Sequence, residues 1–197
     1  MTKVSPDASL RARPRSRALN DARSPHPPGA VRLTTARLVL REPDDGDLPF
    51  LLELLNDAGF IRFIADRGVR TLEQAREYLH DRLLPHFRMH GFGAFVVERR
   101  DDGERLGLCT LISRDTLPDV DIGYAFLARF TGQGYALEGS RALLDHARGT
   151  LGMARVIAIA NQDNTRSARL LAKLGLRHEG RVRLEAETEE LDLFAIP

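Results

Sequence analysis

Arg129-Phe130-Thr131-Gly132-Gln133-Gly134 constrains this chain more than any other stretch. Residues 120–128, before it, read as a β-strand, and residues 135–148, after it, as an amphipathic helix. Glycines between a strand and a helix let the backbone approach a ligand closely. The helix start presents unpaired N–H groups and the positive end of a dipole, so an anion is the expected guest. A Walker A loop needs Gly-Lys-Ser/Thr after the glycines, whereas this chain has Gly134-Tyr135-Ala136. A dinucleotide fingerprint needs a third glycine, where Leu137 stands, and an acidic residue closing the next strand, where Ile159 stands. Two readings remain for the loop. Its backbone N–H groups, at Gly132, Gln133, Gly134, Tyr135 and Ala136, cradle a pyrophosphate, or the glycines serve only to pack the helix tightly on the sheet.

The rest of the composition narrows the class. A chain of 197 residues suits one domain with a tail and can bury a real core. A formal net charge of +1 argues against a chain that binds nucleic acid along its whole length. Cys109 is the only cysteine, so no internal disulfide is expected, and no Cys/His spacing suggests a zinc site. Cys109 reads as a small buried hydrophobe within residues 106–112, and a reducing, cytoplasmic setting fits. No apolar stretch is long enough to span a bilayer, and no apolar leader stands at the N-terminus.

Residues 1–30 differ from the remainder. Arg11, Arg13, Arg15, Arg17 and Arg23 interleave with five prolines, and little is apolar enough to bury. Disorder is expected there, as a solvated extension in preference to a basic arm for nucleic acid. The folded domain is expected over residues 31–197. Residues 37–41 alternate apolar and charged side chains as a strand does. Residues 48–55 read as a helix with Asp47 as N-cap. Thr71-Leu72-Glu73-Gln74 is a capping box opening a second helix to about His90, with Pro85 as a kink or early stop. Strands follow at 94–98, 106–113 and 120–128, the first two joined by Asp101-Asp102-Gly103 as a tight turn. After the long helix come a strand at 155–159, a short helix at 167–174 closed by Gly175, and two antiparallel strands at 176–184 and 190–196. The predicted fold class is therefore α/β, a mixed and mostly antiparallel twisted sheet with helices on both faces and one parallel βαβ crossover.

Asn164-Thr165-Arg166-Ser167 opens the short helix, and both Asn164 and Ser167 suit a helix cap. Their order after Arg129-x-x-Gly132-x-Gly134, about thirty residues downstream, resembles the GCN5-related N-acetyltransferases (GNAT). Asp121-Ile122-Gly123-Tyr124, Gly134-Tyr135-Ala136-Leu137-Glu138 and Leu171-Ala172-Lys173-Leu174-Gly175 run in that family's order. Residues 35–41 resemble the first strand of the subgroup that includes the ribosomal-protein N-terminal acetyltransferases. The resemblance covers residues 31–197.

It implies acetyl-CoA as co-substrate and an amine acceptor. From charge, hydropathy and Cys/His spacing no metal and no membrane partner are expected and nucleic acid is disfavoured, and a monomer or homodimer is expected. The strands at 120–128 and 155–160 would splay to admit the pantetheine arm. Backbone N–H groups of Phe126, Leu127 and Ala128 would pair with that arm and polarise the thioester carbonyl. Arg129 through Ala136 would hold the pyrophosphate, Asn164 would bond the pantetheine, and the Ser167 hydroxyl would face the thioester sulfur. Many members carry a tyrosine as general acid where this chain has Leu171, which leaves Ser167 as the candidate donor. Asp121 is the first candidate base and Glu138 the second. For each a plain reading exists, a solvated strand-edge carboxylate and a helix first-turn charge. The acidic residues Glu185, Glu187, Glu189 and Glu190 would draw a cationic amine, or merely solubilise a turn. The expected activity is N-acetyl transfer in a ternary complex. The alternative is an acyl-CoA-binding sensor without catalysis.

Overall fold

The computed structural model describes residues 32–184 and 190–196. The 1–30 segment and the acidic positions 185, 187 and 189 lie outside the described residues. The strands are β1 (Arg32–Thr34), β2 (Leu38–Arg41), β3 (Ala94–Arg99), β4 (Arg105–Ile112), β5 (Val120–Phe126), β6 (Val156–Asn161), β7 (Arg177–Val182) and β8 (Leu191–Ile196). The helices are α1 (Leu48–Leu55), α2 (Ala58–Phe63), α3 (Leu72–Tyr78), α4 (Leu84–His90), α5 (Tyr135–Gly149) and α6 (Thr165–Leu174). Among the described residues the strands form one sheet in the order β1-β2-β3-β4-β5-β6-β8-β7. Every neighbouring pair is antiparallel except β5 and β6, which run parallel through the α5 crossover.

Helices cover both faces. Alternate residues of β2–β6, among them Leu38, Leu40, Phe95, Val97, Ile122 and Val156, pack with Leu143 and Leu144 of α5 and Leu171 and Leu174 of α6. Intervening residues such as Val96, Leu108 and Ala125 meet Leu51, Leu54 and Leu55 of α1, Phe60 of α2 and Ala75 of α3. Period-two alternation along each strand serves both layers at once. Cys109 is fully buried in the first layer, as its composition suggests. Among the described residues no helix is long and apolar enough to cross a membrane.

Four local expectations change. Strand β1 and helix α2 were not anticipated; both are short and carry no periodic signal. Asp47 makes no side-chain cap to α1. Asp44 caps the preceding 3₁₀ turn (Asp45–Asp47), with Asp47 closing a capping box back to the Asp44 N–H. The helix over 71–90 does not stop at Pro85. It widens into one π turn at Leu79–Leu83, where Leu84 N–H reaches the Leu79 carbonyl five residues back, and then continues as α4. Pro85 sits in the first turn of α4, where its missing N–H does little harm.

Candidate functional site

The parallel ladder between β5 and β6 is short. Only Val120 with Val156 and Asp121 with Ile157 are in register. Beyond them β5 stays on β4 as far as Phe126, and β6 stays on β8 as far as Asn161. The two strands therefore diverge, and a wedge opens between them above Asp121. Its walls carry unspent backbone groups. Leu127 N–H donates to Leu106 O at 3.0 Å across β4. Antiparallel pairing alternates its bonded residues, so the N–H groups of Tyr124 and Phe126 turn away from β4 and into the wedge.

Of the three N–H groups expected to meet an acyl arm, Phe126 is thus the one facing the opening. Leu127 is engaged with Leu106, and Ala128 donates to Asp57 Oδ2 at 2.9 Å. Asp57 also accepts from Gly59 N–H at 2.8 Å, so one carboxylate starts α2 and ties it to the end of the cofactor strand. Neither Asp57 nor this tie was anticipated, because 71 residues separate the two groups in sequence.

The glycine loop stands at the open end of the wedge. Gly132 has φ +78° and Gly134 φ +85°, both in the left-handed region where a side chain is strained. Gln133 Nε2 donates to Arg129 O at 2.9 Å and Thr131 Oγ1 to Ala128 O at 2.9 Å, which fixes the loop from within. The first bond of α5 runs from Glu138 N–H to Gly134 O at 3.0 Å. Tyr135, Ala136 and Leu137 N–H groups therefore have no acceptor within the helix and point from its positive end. The N-cap residue, Gly134, has no side chain to cap this end. That arrangement fits a pyrophosphate.

Arg129 itself points elsewhere. Its guanidinium pairs with Glu53 of α1 and, at 3.4 Å, with Glu104. Arg37 takes the place beside the loop: Nη1 donates to Gln133 O at 3.1 Å, and the guanidinium lies 4.5 Å from the Tyr135 ring centroid. In sequence Arg37 is only the opening charged residue of an alternating apolar and charged run. The sequence shows Arg37 as one of three arginines between positions 32 and 41, and only its contacts to Glu138 and Gln133 across α5 distinguish it.

Glu138 is held in place. It accepts from Thr35 Oγ1 at 2.6 Å, from Arg37 N–H at 2.9 Å and from Arg37 Nε at 2.7 Å. Burial works against its charge, but these bonds keep its carboxyl below the usual range. Asp121 is almost fully buried on the opposite face of β5 from Tyr124, at the foot of the wedge. Burial pushes its pKa up, while Arg114 Nε at 2.9 Å and the Ile159 backbone N–H favour the charged form.

Asn164 and Ser167 lie on the other wall. Asn164 Oδ1 accepts from Ser167 N–H at 3.1 Å and so caps α6. Ser167 Oγ accepts from the Tyr124 hydroxyl at 3.0 Å. Leu171 is buried in the core between α6 and the sheet. The short helix ends at Gly175 with φ +96°, as its position predicts.

Residues 37–177 match the family model of an acetyltransferase (GNAT) domain. The chain belongs to the GNAT family. It is an acetyl-CoA-dependent acyltransferase, so the sensor reading without catalysis falls away. It is 28% identical over 152 residues to the uncharacterized N-acetyltransferase YnaD of Bacillus subtilis, covering 76% of this chain and 85% of that one. The uncharacterized protein YkkB of the same organism is 28% identical over 156 residues, with 78% and 89% covered. An acetyltransferase from Agrobacterium tumefaciens shares the fold with a TM-score of 0.72 at 21% identity, covering 89% of this chain and 99% of that one. RimJ of Mycobacterium smegmatis, solved in complex with CoA-disulfide, has a TM-score of 0.67 at 24% identity and 81% coverage of each chain.

For this GNAT chain the loop geometry gives a direct expectation. Gly134→Val forces a β-branched residue to φ +85° and sets its Cβ 3.3 Å from Arg37 Nη2. CoA affinity measured by calorimetry is expected to fall about tenfold or more, a loss of at least ~1.4 kcal/mol. An unchanged Kd would remove the loop from the binding site.

Proposed function

We propose that this GNAT member transfers the acetyl group of acetyl-CoA to a primary amine by direct attack in a ternary complex. The observation that carries the reading is the wedge between β5 and β6, which opens beside an uncapped helix N-terminus. The loop from Gly132 to Ala136 holds the pyrophosphate, and the arm follows the wedge along β5. Phe126 N–H faces the thioester carbonyl and stabilises the negative charge that develops on its oxygen. Holding amine and thioester together supplies much of the rate.

The amine must lose a proton before or during attack. Asp121 is the better supported base. It lies at the foot of the wedge, burial raises its proton affinity, and Arg114 and the Ile159 N–H hold the carboxylate in place as an ion. Thr35 and Arg37 hold the Glu138 carboxyl below its usual range, which weakens it as a proton acceptor and suits a strap between α5 and the β1–β2 turn. Ser167 faces the leaving sulfur, and Asn164 orders the helix that carries it. The acceptor approaches from the side of α1 and α2, the side to which Asp121 belongs.

A screen of amines and N-terminal peptides, read by thiol release from acetyl-CoA, tests the assignment. At least one amine is expected to give turnover that saturates in both substrates. With that amine, Ser167→Ala and Asn164→Ala are expected to lower kcat about tenfold, Ser167→Ala with an unfolding midpoint near wild type and Asn164→Ala with no more than the ~1 kcal/mol that a lost helix cap costs. Parallel loss of stability and turnover would instead make both residues simple caps of α6.

A further inference from the structure

We infer that Tyr124 serves the reaction through Ser167, the two hydroxyls forming a donor chain aimed at the departing CoA thiolate. The inference rests on the acetyl-transfer reading and adds to it a positioning residue from the opposite wall of the wedge. The decisive contact joins two elements that the backbone leaves apart. Tyr124 stands on β5 after the strand has left β6, and its hydroxyl reaches Ser167 Oγ on α6 at 3.0 Å, 43 residues away.

The direction of this bond matters. Tyr124 donates, so Ser167 Oγ is an acceptor in it, and the serine's own proton remains to be given to a third atom. A free serine hydroxyl samples several rotamers; a bond from Tyr124 selects one. Donation into Ser167 Oγ also polarises its O–H, and hydrogen bonds in series strengthen one another by about 10–30% each. Leu171, apolar and buried, supplies no hydroxyl from α6. The tyrosine oxygen comes instead from β5.

The surroundings keep the chain protonated. Tyr124 pairs in register with Cys109 of β4, whose thiol burial pushes up to about 12, and Cys109 in turn lies 3.8 Å from Ser140 Oγ of α5. Burial likewise pushes the Tyr124 hydroxyl up, so it donates throughout the neutral range. The step balances without a proton from the chain. The amine nitrogen bonds the carbonyl carbon and its proton goes to the base. The C–S bond then breaks, with its electron pair going to sulfur. Ser167 donates a hydrogen bond to that sulfur, and CoA leaves as the stabilised thiolate.

Coenzyme A, which carries the free thiol, is the probe. Its ionisation on the full-length protein is followed by thiolate absorbance in the ultraviolet against pH. Cys109, the chain's only thiol, stays protonated over that range. The bound thiol is expected to ionise about one pH unit below free CoA. Tyr124→Phe and Ser167→Ala should each abolish that shift, and the double variant should go no further, while Ser167→Thr retains it. Tyr124→Phe keeps the ring in the core, so the fold and the Kd for CoA should stay within about threefold of wild type. A thiol that ionises at the same pH on wild type and on Tyr124→Phe would overturn the role of Tyr124 alone. Failure of the wild-type protein to bind CoA would overturn the functional reading beneath it.

Discussion

Gly107→Ala is expected to destabilise the domain by about 3 kcal/mol and to remove most of its affinity for CoA. A Cβ at this position would stand 2.2 Å from the Ala125 carbonyl oxygen, 2.7 Å from Phe126 Cγ and 2.8 Å from Phe126 Cα. Two of these are backbone atoms, which cannot swing aside as the end of a long side chain can. The strand must move, and it is the strand that matters. Gly107 is the register partner of Phe126, the residue whose N–H faces the wedge. Pushing β5 away from β4 also breaks the Leu127–Leu106 bond that sets the direction of that N–H. Gly149→Ala is the control. A Cβ there meets nothing within 4 Å, so stability is expected to be unchanged or to rise by a few tenths of a kcal/mol. Urea unfolding and calorimetry with CoA check both variants. Wild-type values for Gly107→Ala would mean that β5 has slack at the point where the carbonyl must be held.

The parts of the site legible in the sequence were those written in consecutive residues. The strand, loop and helix around Gly132 and Gly134 are one local unit, and α5 begins at Tyr135 as its pattern predicts. Gly103 and Gly175 likewise announce their turns through positive φ, at +73° and +96°. The parallel pairing of β5 and β6 follows from the helix between them. What escaped were contacts that only the folded sheet creates. Tyr124 was visible as part of a strand, but strand periodicity says which face a side chain takes and not which helix waits there. Asp57 and Ala128 meet because α2 packs against the end of β5, and α2 has six residues, too few for a periodic signal. Asp47 read as an N-cap because its type and place suit one. The partners that claim it instead lie on β2 and β4, and no local rule points to them.

Asp47→Ala is the other substitution of large expected effect, about 3–5 kcal/mol of lost stability. The carboxylate is fully buried and every contact it makes is a strong one. Arg41 donates to it through both Nη1 and Nη2 at 2.7 Å, Arg105 Nε at 2.8 Å and the Asp44 N–H at 2.9 Å. Arg41 also bonds Glu98 at 2.6 Å and lies 3.6 Å from the exposed Asp44 carboxylate, so the two arginines and the carboxylates around them form one charge network. Alanine leaves the half-buried Arg41 without its bidentate partner, while Arg105, partly exposed, can turn to water. Burial is the strongest single influence on Asp47 and opposes its charge. The bonds from Arg41 and Arg105 together outweigh it, and the pKa lies below the ordinary carboxylate value.

The sign for pH follows from that direction. Because the folded-state pKa is depressed, the stabilisation is fully present above the unfolded value, about 4, and drains away as pH falls through the folded value. Asp47→Asn is therefore expected to be much weaker than wild type at pH 7, with the difference shrinking in acid. Urea unfolding at pH 7 and near pH 3 tests this, and an Asp47→Asn stability within about 1 kcal/mol of wild type at pH 7 would refute it. The consequence reaches the site. Asp47 immediately precedes α1, and the chain leaves α1 through Asp57, which holds Ala128 at the end of the cofactor strand. Glu53 of α1 holds Arg129 in the same way. A loosened Asp47 frees the base of that helix, so the variant's CoA affinity is expected to fall along with its stability.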